Sequence, residues 1–116
     1  MKVLLTAQGD FVAQRFDLAA EVVVAIVEGG KLANPPRTII MDRPSSENLS
    51  NFIMEENIGV VICGGIEERN YQFLSWKKVR IIDFVIGDIV TVLDSFLAGT
   101  LQPGDILPLV RGDLSL

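Results

Sequence analysis

Few side chains in this chain can do chemistry. There is no histidine, which removes the usual general acid–base group and the commonest metal-binding imidazole. There is one cysteine, Cys63, followed directly by Gly64 and Gly65. A thiolate at Cys63 is a soft ligand for iron or an iron–sulfur cluster. A buried cysteine behaves instead as a small hydrophobe. With no second cysteine in the chain, a cluster on Cys63 needs exogenous ligands or a second subunit. The glycine pair can present amides to an anion if a helix starts there, or can serve a turn that needs glycine. Glu67 and Glu68 follow at once and oppose a bound anion.

A second group of polar residues lies upstream: Gln8, Asp10, Arg15 and Asp17. They fall in a connection of residues 7 to 20, and long connections in compact domains are often functional. Arg15 and Asp17 can line a pocket mouth, or can pair with each other and order the loop. Asp10, Asp42 and Asp83 lie near strand ends and invite a two-metal nuclease reading. That chemistry needs carboxylates gathered at one site, and these are scattered over different elements. The net charge is −5 with no basic stripe, which argues against nucleic acid as a partner. No phosphate-binding glycine motif is present. No nucleophile–base pair can be named, so no enzyme activity is expected.

These residues need a scaffold, and the apolar pattern supplies one. Ile58 to Cys63 is a short, β-branched run closed by glycines, as in a strand buried on both faces. Residues 2 to 6 read the same way. Residues 21 to 27 form a strand, Glu28-Gly29-Gly30-Lys31 a tight turn, and a third strand is interrupted by Asn34-Pro35-Pro36 and resumes over 37 to 42. Proline confines that strand to a sheet edge. Ser45-Ser46-Glu47 starts a first helix. A second helix runs from about Ile66 to Lys77, with Phe73, Leu74 and Trp76 among its apolar residues. The fifth strand is Val79 to Phe84. Ile89, Val92, Leu93, Phe96 and Leu97 mark a third helix, stopped at Gly99. The expected fold is α/β, with a five-stranded mixed sheet in the order 3-2-1-4-5 and about three helices. Strands one and four then flank a switch point, where ligands bind beyond the carboxyl ends. That brings residues 7 to 17 against Cys63-Gly64-Gly65. Residues 1–103 form one domain, and 104–116 an apolar tail expected to dock on its own domain or on another chain. One cysteine, no apolar run long enough to span a membrane and no secretory leader fit a cytoplasmic protein.

The same residues resemble the dinitrogenase iron–molybdenum cofactor biosynthesis family. The matching pieces are the opening strand, Val12-Ala13-Gln14-Arg15-Phe16-Asp17, the strand ending in Glu28-Gly29-Gly30-Lys31, Val60 to Ile66, and Phe96-Leu97-Ala98-Gly99. In order, they cover residues 1 to about 107. The resemblance implies a three-layer α/β/α, ribonuclease H-like fold. It also implies a non-enzymatic accessory or carrier protein whose cargo is an iron–molybdenum or related metal–sulfur cluster. The alternative is an interaction or regulatory module of the same fold that has lost cluster binding. Where the family has a histidine this chain has Arg15, and where a glycine follows it has Asp17. Arginine cannot ligate a metal but can pair with an anionic cluster. The implied site is Gln8, Asp10, Arg15, Asp17, Cys63, Gly64 and Gly65, with Cys63 as the metal ligand.

Overall fold

The structure, a computed structural model, describes residues 1–107. Its strands are β1 (Lys2–Gln8), β2 (Phe11–Val12), β3 (Glu21–Glu28), β4 (Lys31–Leu32), β5 (Arg37–Ile40), β6 (Val60–Ile62) and β7 (Arg80–Ile82). Its α-helices are α1 (Ser46–Glu55), α2 (Glu68–Trp76) and α3 (Ile89–Leu97).

β1 is the centre of the sheet. It runs antiparallel to β3 and parallel to β6, with Leu4 opposite Val61 and Leu5 opposite Ile62. β7 lies parallel to β6 on the far side. The spatial order is β4-β3-β1-β6-β7, with β5 also on β3. This is the expected 3-2-1-4-5 arrangement, but seven strands replace the expected five. Two causes account for the difference. Pro35 and Pro36 cut the third strand into β4 and β5, both antiparallel to β3. The connection after β1 is also more ordered than its composition suggested. A two-residue turn, Gly9-Asp10, folds β2 back on the end of β1, with Gly9 at φ 62°. A 3-10 turn at Phe16–Leu18 follows.

Alternation along β1 splits the core into two layers. Val3 and Leu5 pack with Ile62, Ile82, Val92 and Leu93 under α3. Leu4 packs with Val61, Leu49, Ile53 and Leu74 under α1 and α2. The result is the three-layer α/β/α sandwich. The Ser45 hydroxyl accepts from the Asn48 amide at 3.2 Å and caps α1, and Asp88 accepts from the Thr91 amide at 2.8 Å and caps α3. α2 starts two residues later than expected, because Glu67 is still extended. Of its expected apolar residues only Leu74 is buried; Phe73 and Trp76 face outward.

The first part of the tail is packed. The Gly104 amide donates to the Asp83 carbonyl at 2.8 Å, and the Leu107 amide to Ile86 at 2.8 Å. Leu107 lies against the α3 layer. The rest of the expected tail, residues 108–116, lies outside the described residues.

Candidate functional site

The site grows from the way β6 ends. Past Ile62 the chain is gripped on both sides. On the β7 side, the Phe84 amide donates to the Gly64 carbonyl at 2.9 Å and Val85 to the Cys63 carbonyl at 3.1 Å. On the β1 side, the Gly65 amide donates to Gln14 at 2.7 Å, and Phe16 returns a bond to the Gly65 carbonyl at 2.8 Å. The switch point therefore joins residues 13 to 16 to the glycine pair. Gly64 is there for close approach: a Cβ on it would overlap the carbonyls of Ala13 and Gln14. The Gly65 amide is spent on Gln14 and α2 starts only at Glu68. The glycines thus work as a tight junction, and that amide is not presented to an anion.

Phe84 closes the junction from above. It holds φ 57°, a left-handed conformation that costs a bulky residue roughly 1–2 kcal/mol. Its ring lies over Gly65 and is 59% exposed. An apolar ring displayed at the expense of backbone strain makes Phe84 a candidate functional position. Beneath it a cavity of about 280 Å³ is lined by Gly64, Gly65, Gln14 and Phe84. Val12, Gln14 and Ile86 are shared with a neighbouring cavity of about 610 Å³, which adds Gln8, Phe11, Ile106 and Leu107. Together they form one groove at the carboxyl ends of β1, β6 and β7. No ionisable side chain lines either part among the described residues. The groove is apolar, with two neutral amide side chains.

The residues singled out in the sequence separate in space. Gln8, Gly64 and Gly65 line the groove. Asp10 lines a different cavity, of about 630 Å³, together with Phe11 and Asp88. Arg15 and Asp17 line neither. They pair with each other in a two-point contact, Nε to Oδ1 at 3.0 Å and Nη2 to Oδ2 at 2.7 Å, so the local ion pair is the arrangement the structure adopts. Cys63 is fully buried in the layer under α1 and α2 with Leu4, Phe16 and Leu74. Its thiol is pushed up to about 12, by burial first and by the charge of Asp83 second. It is protonated at neutral pH and does not line the groove. No group of three or more His, Cys, Asp or Glu is placed to hold a metal ion among the described residues.

A raised thiol pKa has a defined consequence for stability. The folded state holds the proton more tightly than the unfolded state. The contribution is therefore full below the ordinary value of 9.0 and is lost as pH rises from there toward about 12. Urea midpoints should fall across that window, and Cys63→Ala should flatten the fall. An unchanged pH slope in that variant would count against the burial of the thiol.

Sequence reasoning missed Phe11, Gln14, Phe84, Ile86 and Ile106. The available signal was positional: residues 84 to 86 follow a parallel strand whose carboxyl end faces the switch point.

A model of the dinitrogenase iron-molybdenum cofactor family matches residues 1–99. A search of the curated proteins finds no match. Among solved structures, PH0822 is 24% identical with a TM-score of 0.81, over 89% of this chain and 94% of that one. The protein MJ0327 of Methanocaldococcus jannaschii is 26% identical with a TM-score of 0.72, over 88% of this chain and 92% of that one. The apo form of the orange protein of Desulfovibrio gigas shares the fold at 19% identity, with a TM-score of 0.69 over 95% and 92% of the two chains. On the match over residues 1–99, this chain belongs to the dinitrogenase iron-molybdenum cofactor family.

Proposed function

We propose that this chain is a non-enzymatic accessory protein that carries a preassembled metal–sulfur cluster, of the iron–molybdenum or iron–sulfur type, in the groove over Gly64 and Gly65. The observation that carries the reading is Phe84, held in a left-handed conformation so that its ring walls an uncharged groove at the switch point. Family membership supplies the class of cargo. The groove offers contact surface and the amides of Gln8 and Gln14, with no open thiolate or imidazole. The cargo therefore arrives with its own ligands and is held without a protein–metal bond. Arg15, already paired with Asp17, adds little net charge. The reading calls for no bond to be made or broken. It places the protein in the cytoplasm, away from nucleic acid and membranes; no helix among the described residues is long and apolar enough to cross a membrane.

The test is anaerobic loading with a synthetic thiolate-ligated iron–sulfur cluster, read by iron content and visible absorption. Phe84→Gly relieves the left-handed strain, so the variant should be at least as stable as the parent. It should retain several-fold less iron, and Cys63→Ala should load like the parent. Equal loading of Phe84→Gly would sink the groove assignment. Loss of loading in Cys63→Ala would return the ligand role to the thiol.

A second reading is favoured by one observation: Phe11, Ile86 and Ile106 are exposed around the groove with no ligating set among the described residues. The chain would then be an interaction module whose groove receives a protein segment. Wild-type protein that takes up no iron selects this reading.

A further inference from the structure

The opposite end of β7 carries a surface that the groove does not use. Trp76, the chain's one tryptophan, is 74% exposed on the last turn of α2. Phe73 lies one turn earlier and is also exposed. The Lys77 ammonium sits 4.8 Å from the Trp76 ring centre and 5.8 Å from that of Phe73. Lys78 and Arg80 follow, both exposed. Residues 69 to 82 hold four cations and no Asp or Glu, in a chain whose net charge is −5. No ion pair involves Lys77, Lys78 or Arg80 among the described residues.

Two features resist a purely structural account. Cations at a helix C-terminus complement its dipole, which accommodates Lys77 and Lys78. It gives no reason for Phe73 and Trp76 to face water. Lys78 also holds φ 70° just past the end of α2, with its amide donating to Ser75 and that of Val79 to Leu74, both at 3.0 Å. That left-handed position ordinarily favours glycine. A lysine there keeps a positive charge at a cost in backbone strain.

We propose that Phe73, Trp76, Lys77, Lys78 and Arg80 form a docking surface for an acidic, apolar-anchored segment of a partner protein. Charge complementarity selects the partner: a basic patch on an acidic protein attracts carboxylates locally, while the whole chain repels polyanions. An exposed tryptophan flanked by cations is the composition of an interface anchor. Anionic membranes are recruited by clusters of about 4–8 Lys or Arg, and the proposed surface presents Lys77, Lys78 and Arg80 alone, Arg69 lying on the first turn of α2. Nucleic acid binding draws on many phosphate contacts, which the net charge opposes. β7 is also the last strand of the sheet on this side. Arg80 begins it and Phe84 lies past its end, about 13 Å along the chain. A partner held here leaves the groove open.

Trp76 reports its own surroundings by its emission. The probe is a synthetic peptide alternating glutamate and leucine, with a lysine–leucine peptide as its counterpart. The acidic peptide should shift the emission to the blue in a saturable way, and the basic one should not. Lys77→Glu combined with Lys78→Glu should weaken binding roughly tenfold or more. Salt near 1 M, where the screening length is about 3 Å, should weaken it likewise. Lys78→Gly separates the two roles of that residue: it should raise the urea midpoint and still lower affinity. The proposal is overturned by no shift with the acidic peptide, by equal shifts with both peptides, or by unchanged binding in the charge-reversed variant. It is equally overturned if vesicles of anionic lipid or single-stranded DNA bind more tightly than the acidic peptide.

Discussion

Gly64→Ala should cost about 3 kcal/mol, the upper end of overpacking penalties. The added methyl would meet the carbonyl oxygens of Ala13 and Gln14, and neither can swing aside. The Gln14 oxygen is already committed to the Gly65 amide at 2.7 Å, and the Ala13 amide is tied to the Thr6 carbonyl at 3.0 Å. Relief therefore requires the two chain segments to part, which opens the junction beneath the groove. Two neighbouring substitutions calibrate the effect. A methyl on Gly65 meets only ordinary contacts, at 3.5 Å to Gln14 and 3.6 Å to the Phe84 ring, so its cost should stay within about 0.5 kcal/mol. A methyl on Gly29 meets nothing, but φ is 60° there; its cost should be roughly 1–2 kcal/mol from backbone strain alone. Urea midpoints of the three variants rank the causes. If Gly64→Ala unfolds at the same urea concentration as Gly65→Ala, the close approach is misplaced.

The central strands were legible because they are buried on both faces. Such strands read as unbroken apolar runs, and Val3-Leu4-Leu5 and Val60-Val61-Ile62 do so. The order of the sheet followed from handedness and from the prolines at 35 and 36. The position of Cys63 was legible too, by parity. Val61 shares a face with Leu4, and Cys63, two residues on, must face the same layer. That alternation favours the buried, hydrophobe-like cysteine over a ligand at the mouth. Phe84 was beyond reach. Phe84-Val85-Ile86 looks like more strand, and the left-handed turn that ends β7 is imposed by bonds to Gly64 and Cys63, about twenty residues away in sequence. No local propensity encodes it. α2 lies where its pattern places it, but the burial of its apolar residues differs. Phe73, Leu74 and Trp76 do not share one helical face, and only Leu74 points inward.

Phe16→Ala should be the costliest truncation in this layer, about 3–5 kcal/mol. Phe16 is 1% exposed and packs with Leu4, Leu49 and Cys63. It is the largest of the fully buried side chains. Phe96, which shares the sequence signature of a core residue, is only partly buried against the α3 layer, so Phe96→Ala should cost clearly less. The Phe16 variant also reports on the thiol beside it. A buried, protonated Cys63 reacts with a thiol reagent only through opening of the fold. A loss of 3–5 kcal/mol in the unfolding equilibrium should therefore speed labelling by roughly a hundred- to a few thousand-fold. The buried Phe16 ring anchors the segment whose backbone amide holds the Gly65 carbonyl at 2.8 Å. Phe16→Ala keeps that amide but loosens the segment, so the same variant should retain less iron after loading, whereas Phe96→Ala should load normally. Equal urea midpoints for the two variants, or unchanged labelling of Cys63 in Phe16→Ala, would show that Phe16 does not close this layer and that the thiol is reached by another route.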